Sequence, residues 1–148
     1  MRVLLVTSPG GHLAQLAALR SWWEQHTRVW VTFNTGAVAD LAGEDVRWAH
    51  HPTTRNLPNA WRNFWLAVRL LRAERPDVVV STGAGVAVPF FVAARFLRIR
   101  TAYVEVIDRI DSRTLTGTLV YPISDVFAVQ WAEQLALYPR ATLIGSTL

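Results

Sequence analysis

Short β-branched apolar runs alternate with helical stretches along the whole of this 148-residue chain, and that alternation limits its folds more than any other feature. Val3–Thr7, Arg28–Phe33, Val46–His50, Asp77–Ser81, Thr101–Val106, Val126–Val129 and Thr142–Ile144 read as strands. Continuous apolar runs of this length fit strands buried on both faces of a parallel sheet. Between them, Leu13–Gln25, Ala37–Ala42, Ala60–Ala73, Gly85–Leu97 and Leu115–Tyr121 carry helical spacing. Leu16, Leu19 and Trp23 share one side of the first, and Phe64, Ala67 and Leu71 face the core from the third. Repeated strand–helix–strand units imply one α/β, Rossmann-like domain over residues 1–148, a mostly parallel sheet with helices on both faces.

Composition narrows the chemistry. Apolar residues make up 51% of the chain and charged residues 18%, enough for a substantial core. Cys and Lys are both absent, so all 15 basic side chains are Arg. Disulfide scaffolds, thiolate zinc sites, cysteine nucleophiles, P-loop lysines and Schiff bases are excluded. The apolar start is too short for a signal peptide. The longest uncharged run, Val78–Ala94, is interrupted by Gly83, Gly85 and Pro89. It falls short of the roughly 20 residues a spanning helix needs. The expectation is a soluble or peripheral cytoplasmic chain.

Ligands of parallel α/β sheets bind at the carboxyl ends of the strands. Strand one is followed by Ser8-Pro9-Gly10-Gly11-His12. Paired glycines allow close backbone approach, and the next helix offers free N–H groups to a phosphate or oxyanion. The plainer alternative is a tight turn in which glycine serves geometry alone. His12 faces the same crevice, and an imidazole suits a general base. A second small-residue loop, Thr82-Gly83-Ala84-Gly85, follows the Asp77–Ser81 strand and either cradles phosphate or packs a helix tightly. Glu105, Asp108, Arg109 and Asp111 follow the fifth strand. Glu105 sits in an apolar strand context, which places its carboxylate at the crevice as a base or orienting group, or pairs it with Arg109.

Several signatures are missing. There is no G-x-G-x-x-G with an acidic residue closing strand two, which argues against NAD or FAD, and no G-x-S-x-G elbow. No Asp-x-Asp pair occurs, and adjacent His50-His51 cannot both face one metal from a strand, so neither metal nor cofactor is expected. On the Ala60–Ala73 helix, Trp61, Trp65, Arg69 and Arg72 run down one stripe. Such a stripe suits anionic membrane headgroups, or is Arg stacked over Trp on ordinary surface. The arginines form no run and no nucleic-acid motif is present, so nucleic acid is not an expected partner.

Taken in order, Gly-Gly-His after strand one, Ser-Thr-Gly-Ala-Gly, Tyr103-Val104-Glu105 with Arg109 and Ser112, Val129-Gln130-Trp131, Tyr138-Pro139 and Ile144-Gly145 resemble one family over nearly the whole chain. It is the acceptor-binding, membrane-anchoring subunit of two-component glycosyltransferases. One branch is the eukaryotic partner of the N-acetylglucosaminyltransferase of dolichol-linked oligosaccharide synthesis. The other is the bacterial PssD and CpsF type of exopolysaccharide and capsule synthesis. Gly-Gly-His alone is shared with MurG-like transferases.

The resemblance implies the N-terminal, Rossmann-like half of a split GT-B enzyme that binds a polyprenyl- or dolichyl-diphosphate sugar. A small separate subunit, forming a heterodimer with it, would bind the UDP-sugar. Transfer would be metal-independent, with His12 and Glu105 as catalytic candidates and Ser8, Gly10, Gly11, Thr82, Gly83, Gly85 and Arg109 as acceptor- or phosphate-binding candidates. The eukaryotic members carry an N-terminal membrane helix; this sequence opens at strand one, so membrane attachment is expected to be peripheral, through Trp61, Trp65, Arg69 and Arg72. The family also implies partner docking through the C-terminal segment, with Leu148 as the docking residue. Two other readings stay open: a non-catalytic anchor that recruits a fully catalytic partner, and a free-standing nucleotide-binding protein.

Overall fold

Seven parallel strands form one sheet in the order β3-β2-β1-β4-β5-β6-β7 in the computed structural model of the chain, which describes residues 1–36 and 38–148. The strands are β1 (Arg2–Thr7), β2 (Thr27–Thr32), β3 (Val46–Trp48), β4 (Val78–Gly83), β5 (Arg100–Val104), β6 (Val126–Val129) and β7 (Thr142–Leu143). The central strands are buried on both faces, as their unbroken apolar runs require. In β1, Leu4 and Val6 point into one core and Val3 and Leu5 into the other, the period-2 alternation of a strand.

The helices are α1 (Gly11–Ala18), α2 (Arg20–Trp23), α3 (Leu57–Glu74), α4 (Ala87–Phe96), α5 (Leu115–Val120) and α6 (Gln134–Leu137). The chain winds from β1 to β3 in one direction and from β4 to β7 in the other, so its crossovers lie on opposite faces. The larger core joins α3 and α4, through Leu66, Leu70, Phe90 and Phe91, to Val79, Tyr103 and Phe127 of the sheet. The smaller core packs Leu13, Leu16 and Trp23 on Val3, Leu5 and Val80. Beside it, Val80, Ala102, Val104, Val126 and Ala128 line an open trough of about 880 Å³.

Two elements depart from the local spacing. The expected Leu13–Gln25 helix is interrupted at Leu19, which turns out of helical geometry at φ −82°, ψ 21°. The break lets Trp23 Nε1 donate to the Leu16 carbonyl at 3.0 Å while its ring packs edge-on against Trp30. The expected Ala37–Ala42 helix is a 3-10 turn over Ala39–Leu41, and Ala37 lies outside the described residues.

Helix α3 runs farther than its periodicity suggests, over 18 residues. Asn56 caps it by accepting from Asn59 N at 3.0 Å, and Arg75 in left-handed conformation followed by Pro76 ends it. Its Ala67 and Leu71 are fully buried as expected, whereas Phe64 is only partly covered. Two buried amides on the same helix clamp the preceding loop. Asn59 Nδ2 donates to Pro52 O, and Asn63 exchanges two bonds with the His50 backbone. That loop carries Thr53 to the carboxyl edge of the sheet.

A candidate acceptor site at the carboxyl edge

The loops after β1 and β4 meet at His12. Gly10 has φ +87°, and an added Cβ there meets nothing within 4 Å, so backbone conformation alone demands glycine. Helix α1 starts directly afterwards without a side-chain cap, which leaves its first N–H groups and positive dipole end open to an anion. Gly83 is required twice. Its φ is +109°, and a Cβ would come within 2.8 Å of His12 Nδ1 and 3.3 Å of the Tyr103 hydroxyl.

The half-buried His12 ring lies against the Thr82 carbonyl, with Nδ1 at 2.9 Å. A carbonyl oxygen only accepts, so Nδ1 carries the proton and the neutral ring keeps its lone pair on Nε2. The Thr82 hydroxyl returns the contact by donating to His12 O at 2.7 Å. Ser8 N donates to Gly83 O at 3.2 Å and locks the two loops edge to edge. Among the described residues Nε2 has no hydrogen-bond partner in the chain. The arrangement is an imidazole with a fixed tautomer, flanked by an uncapped helix start.

Thr82 therefore does not have the expected phosphate-contacting side chain. It is fully buried and its hydroxyl is spent on the His12 carbonyl. Ser8 is half-buried, and Gly10 and Gly11 are exposed. Gly85 abuts Thr53, whose Oγ1 would lie 3.1 Å from an added Cβ.

Glu105 corrects the sequence-based expectation more strongly. It is 0% exposed and does not open on the crevice. Its carboxylate accepts from Val106 N at 3.0 Å, from the Thr114 hydroxyl at 3.0 and 3.1 Å, and from the Tyr138 hydroxyl at 2.6 Å. Gly117 walls off the remaining side, since a Cβ there would overlap Glu105 Oε2 and lie 2.6 Å from the Tyr138 hydroxyl. Burial first, then the Glu105 charge for Tyr103 and the Glu105 hydrogen bond for Tyr138, push both hydroxyls above the usual phenol range, so both stay protonated. Thr114 passes the carboxylate's hold onward, because it also caps α5 by accepting from Gly117 N at 2.8 Å. No Glu105–Arg109 ion pair forms. Arg109 is exposed on the loop after β5, and its guanidinium is unpaired among the described residues.

A buried amide cluster escaped the local reading. Gln130 Nε2 donates to Gln15 Oε1 at 2.8 Å and to Glu105 O at 2.9 Å. Its Oε1 accepts from Thr147 N and Oγ1. Gln134 Oε1 accepts from Gln130 N and Trp131 N, and its amide donates to Val106 O and Arg109 O. These side chains tie α1, the β5 loop and the 145–148 segment into one edge. Their sequence signal is a glutamine at an otherwise apolar helical or strand-end position. Leu148 is 68% exposed and does not pack back on the sheet.

Trp61 and Trp65 are 63% and 53% exposed and form an aromatic cluster with Phe64. Neither Arg69 nor Arg72 stacks on them among the described residues, so the Arg-over-Trp alternative is not what the surface contains. No helix among the described residues is long and apolar enough to cross a membrane.

An all-parallel sheet with glycine loops at its carboxyl edge has clear structural counterparts. Acinetobacter baumannii MurG superposes with a TM-score of 0.79 at 16% identity, over 97% of this chain and 44% of that one. A UDP-GlcNAc 2-epimerase from Methanocaldococcus jannaschii superposes with a TM-score of 0.74 at 17% identity, over 95% and 42%. The fold is the Rossmann-like domain of GT-B proteins.

Residues 45–147 match the family described as "Oligosaccharide biosynthesis protein Alg14 like", and the chain belongs to that family. It is 29% identical over 108 residues to the human UDP-N-acetylglucosamine transferase subunit ALG14, covering 64% of this chain and 50% of the human protein. The subunit of the same name from Candida albicans is 24% identical over 166 aligned positions, covering 95% and 75%. The chain thus spans about half the length of the first of these relatives.

Proposed function

We propose that this chain is the acceptor-binding subunit of a two-component UDP-sugar glycosyltransferase and that His12 is its base. The observation that carries the reading is the tautomer lock, with Nδ1–H held by Thr82 O and Nε2 open beside an uncapped helix start. An acceptor hydroxyl at Nε2 gives up its proton to the imidazole as its oxygen bonds to the donor sugar's anomeric carbon. The anomeric carbon–oxygen bond to UDP breaks, and UDP leaves with the electron pair on the partner subunit. The first turns of α1 and the Gly10-Gly11 backbone bind the diphosphate of a polyprenyl-linked sugar, with Arg109 as a further cation.

N-acetylglucosamine is the transferred sugar favoured by the name of the human relative. The product would be a lipid-linked oligosaccharide or an exopolysaccharide or capsule precursor. Trp61, Trp65, Arg69 and Arg72 hold the chain to the cytoplasmic face of the membrane, and exposed Leu148 contacts the partner. The test is reconstitution with a small UDP-sugar-binding subunit and a prenyl-diphosphate sugar. Turnover should require both chains. Robust turnover by this chain alone would overturn the split-enzyme reading. Full activity of the partner alone in detergent would favour the anchor reading instead.

A further inference from the structure

The helices α3, α4 and α5 all start at the carboxyl edge of the sheet and run away from it, as crossover helices of a parallel sheet must. Between them lies a groove of about 760 Å³, within the range of small-molecule sites. The more buried lining, Ala60, Phe64, Val88, Pro89 and Val92, forms its floor, and the exposed Leu57, Trp61, Phe96, Leu115 and Leu119 form its walls. Phe96 and Leu115 are 78% and 73% exposed, so large apolar side chains of the groove stand in water. Of the polar residues lining it, Thr53, Arg55 and Asn56 come from the loop before α3 and Thr116 from α5, and Gly85 of the β4 loop also lines it. From Val88 to Phe96 the groove follows α4 for about 12 Å, at 1.5 Å per residue.

We propose that this groove seats the first isoprene units of the acceptor's prenyl chain, which enters it at the Gly85 end from the diphosphate site on the neighbouring Gly10-Gly11 loop. The inference rests on the acceptor reading above and deepens it. An amphiphile needs a polar end continuous with an apolar channel, and the groove joins the two at Gly85, one loop away from His12. A hydrocarbon chain has no hydrogen bonds to satisfy, which matches a floor without polar side chains.

The test is calorimetric titration of the full chain with inorganic diphosphate, geranyl diphosphate and geranylgeranyl diphosphate, the lipids below their micellar concentrations. Geranylgeranyl diphosphate should bind at least about tenfold tighter than geranyl diphosphate, a difference of about 1.4 kcal/mol. Val92→Trp, which fills the floor, should abolish that difference and leave inorganic diphosphate binding unchanged. Leu119→Asp on the opposite wall should do the same, with circular dichroism reporting the fold of both variants.

Equal affinity for the two lipids in the unaltered chain overturns the groove proposal while leaving the acceptor reading intact. Absence of binding by all three diphosphates overturns both. A length preference that survives both folded variants puts the chain elsewhere. Loss of liposome flotation or of partner co-purification, with the length preference intact, assigns the groove to the bilayer or to a partner helix and overturns the proposal.

Discussion

Replacing Gly83 by Ala should uncouple His12 from its loop, and the structure separates the parts of the cost. The backbone stands at φ +109°, which an L-residue adopts at about 1–3 kcal/mol. The new Cβ would sit 2.8 Å from His12 Nδ1 and 2.9 Å from Cε1, so the ring must move. His12 is half-buried and can swing outward, but it then gives up the 2.9 Å bond to Thr82 O, about 0.5–1.5 kcal/mol. The sum is about 1.5–4.5 kcal/mol of stability, with a ring no longer fixed in tautomer or direction. Gly10→Ala is the control. Its φ is also positive, at +87°, yet nothing lies within 4 Å of the added carbon, so it carries the conformational part alone. Urea unfolding of the isolated chain measures both costs, and turnover of the reconstituted complex measures the consequence. Gly83→Ala should lose about 10²–10⁴-fold in kcat, the range for a positioned acid–base group. Gly83→Ala activity within threefold of the parent, in a folded complex, would refute the claim that the His12–Thr82 contact matters.

Glu105→Gln should destabilise the chain by about 1.5–3 kcal/mol, since the amide cannot accept from Tyr138 as the carboxylate does, and turnover per folded molecule should stay near that of the parent. Because Tyr103 and Tyr138 titrate above the usual phenol range in the fold, the native state holds more protons than the unfolded chain above about pH 10. Stability should therefore be full below that pH and fall as pH rises beyond it, and Tyr138→Phe should flatten the fall in an alkaline unfolding series. Charge reversal at Arg69 and Arg72 should weaken flotation on anionic liposomes by about 1 kcal/mol or more per residue and leave neutral liposomes unaffected. Leu148→Ala should weaken the complex with the donor subunit by about 10- to 150-fold in a pull-down titration, from 1.5–3 kcal/mol of side-chain burial, without altering circular dichroism.

The centre of the parallel sheet was legible because its strands carry their burial in their own residues. Val78-Val79-Val80 between Pro76 and the glycine loop needs no distant information. The helix break at Leu19 was not legible, because a tertiary contact rewards it: Trp23 reaches back to Leu16 O and packs on Trp30 from another strand. His12 was legible as a loop residue facing a crevice, while its tautomer depends on a carbonyl 70 positions away. Glu105 was misplaced for the same reason. Its strand context correctly indicated that a lone carboxylate must be satisfied, but the hydroxyl that satisfies it belongs to Tyr138, 33 residues later, and the space that admits it to Gly117. The groove draws its walls from three separate helices, so Leu57, Phe96, Leu115 and Leu119 share no signal along the chain and meet only in the fold.

The central claim is that His12 supplies chemistry rather than structure. Its most direct test is steady-state kinetics of the reconstituted two-subunit complex carrying His12→Asn. An asparagine side chain keeps a donor for Thr82 O but offers no basic nitrogen to the acceptor. The kcat should fall by about 10²–10⁴-fold, with unchanged complex formation and acceptor affinity. A His12→Asn complex turning over within threefold of the parent would contradict it and leave this chain as an anchor for a partner that holds all the catalytic groups.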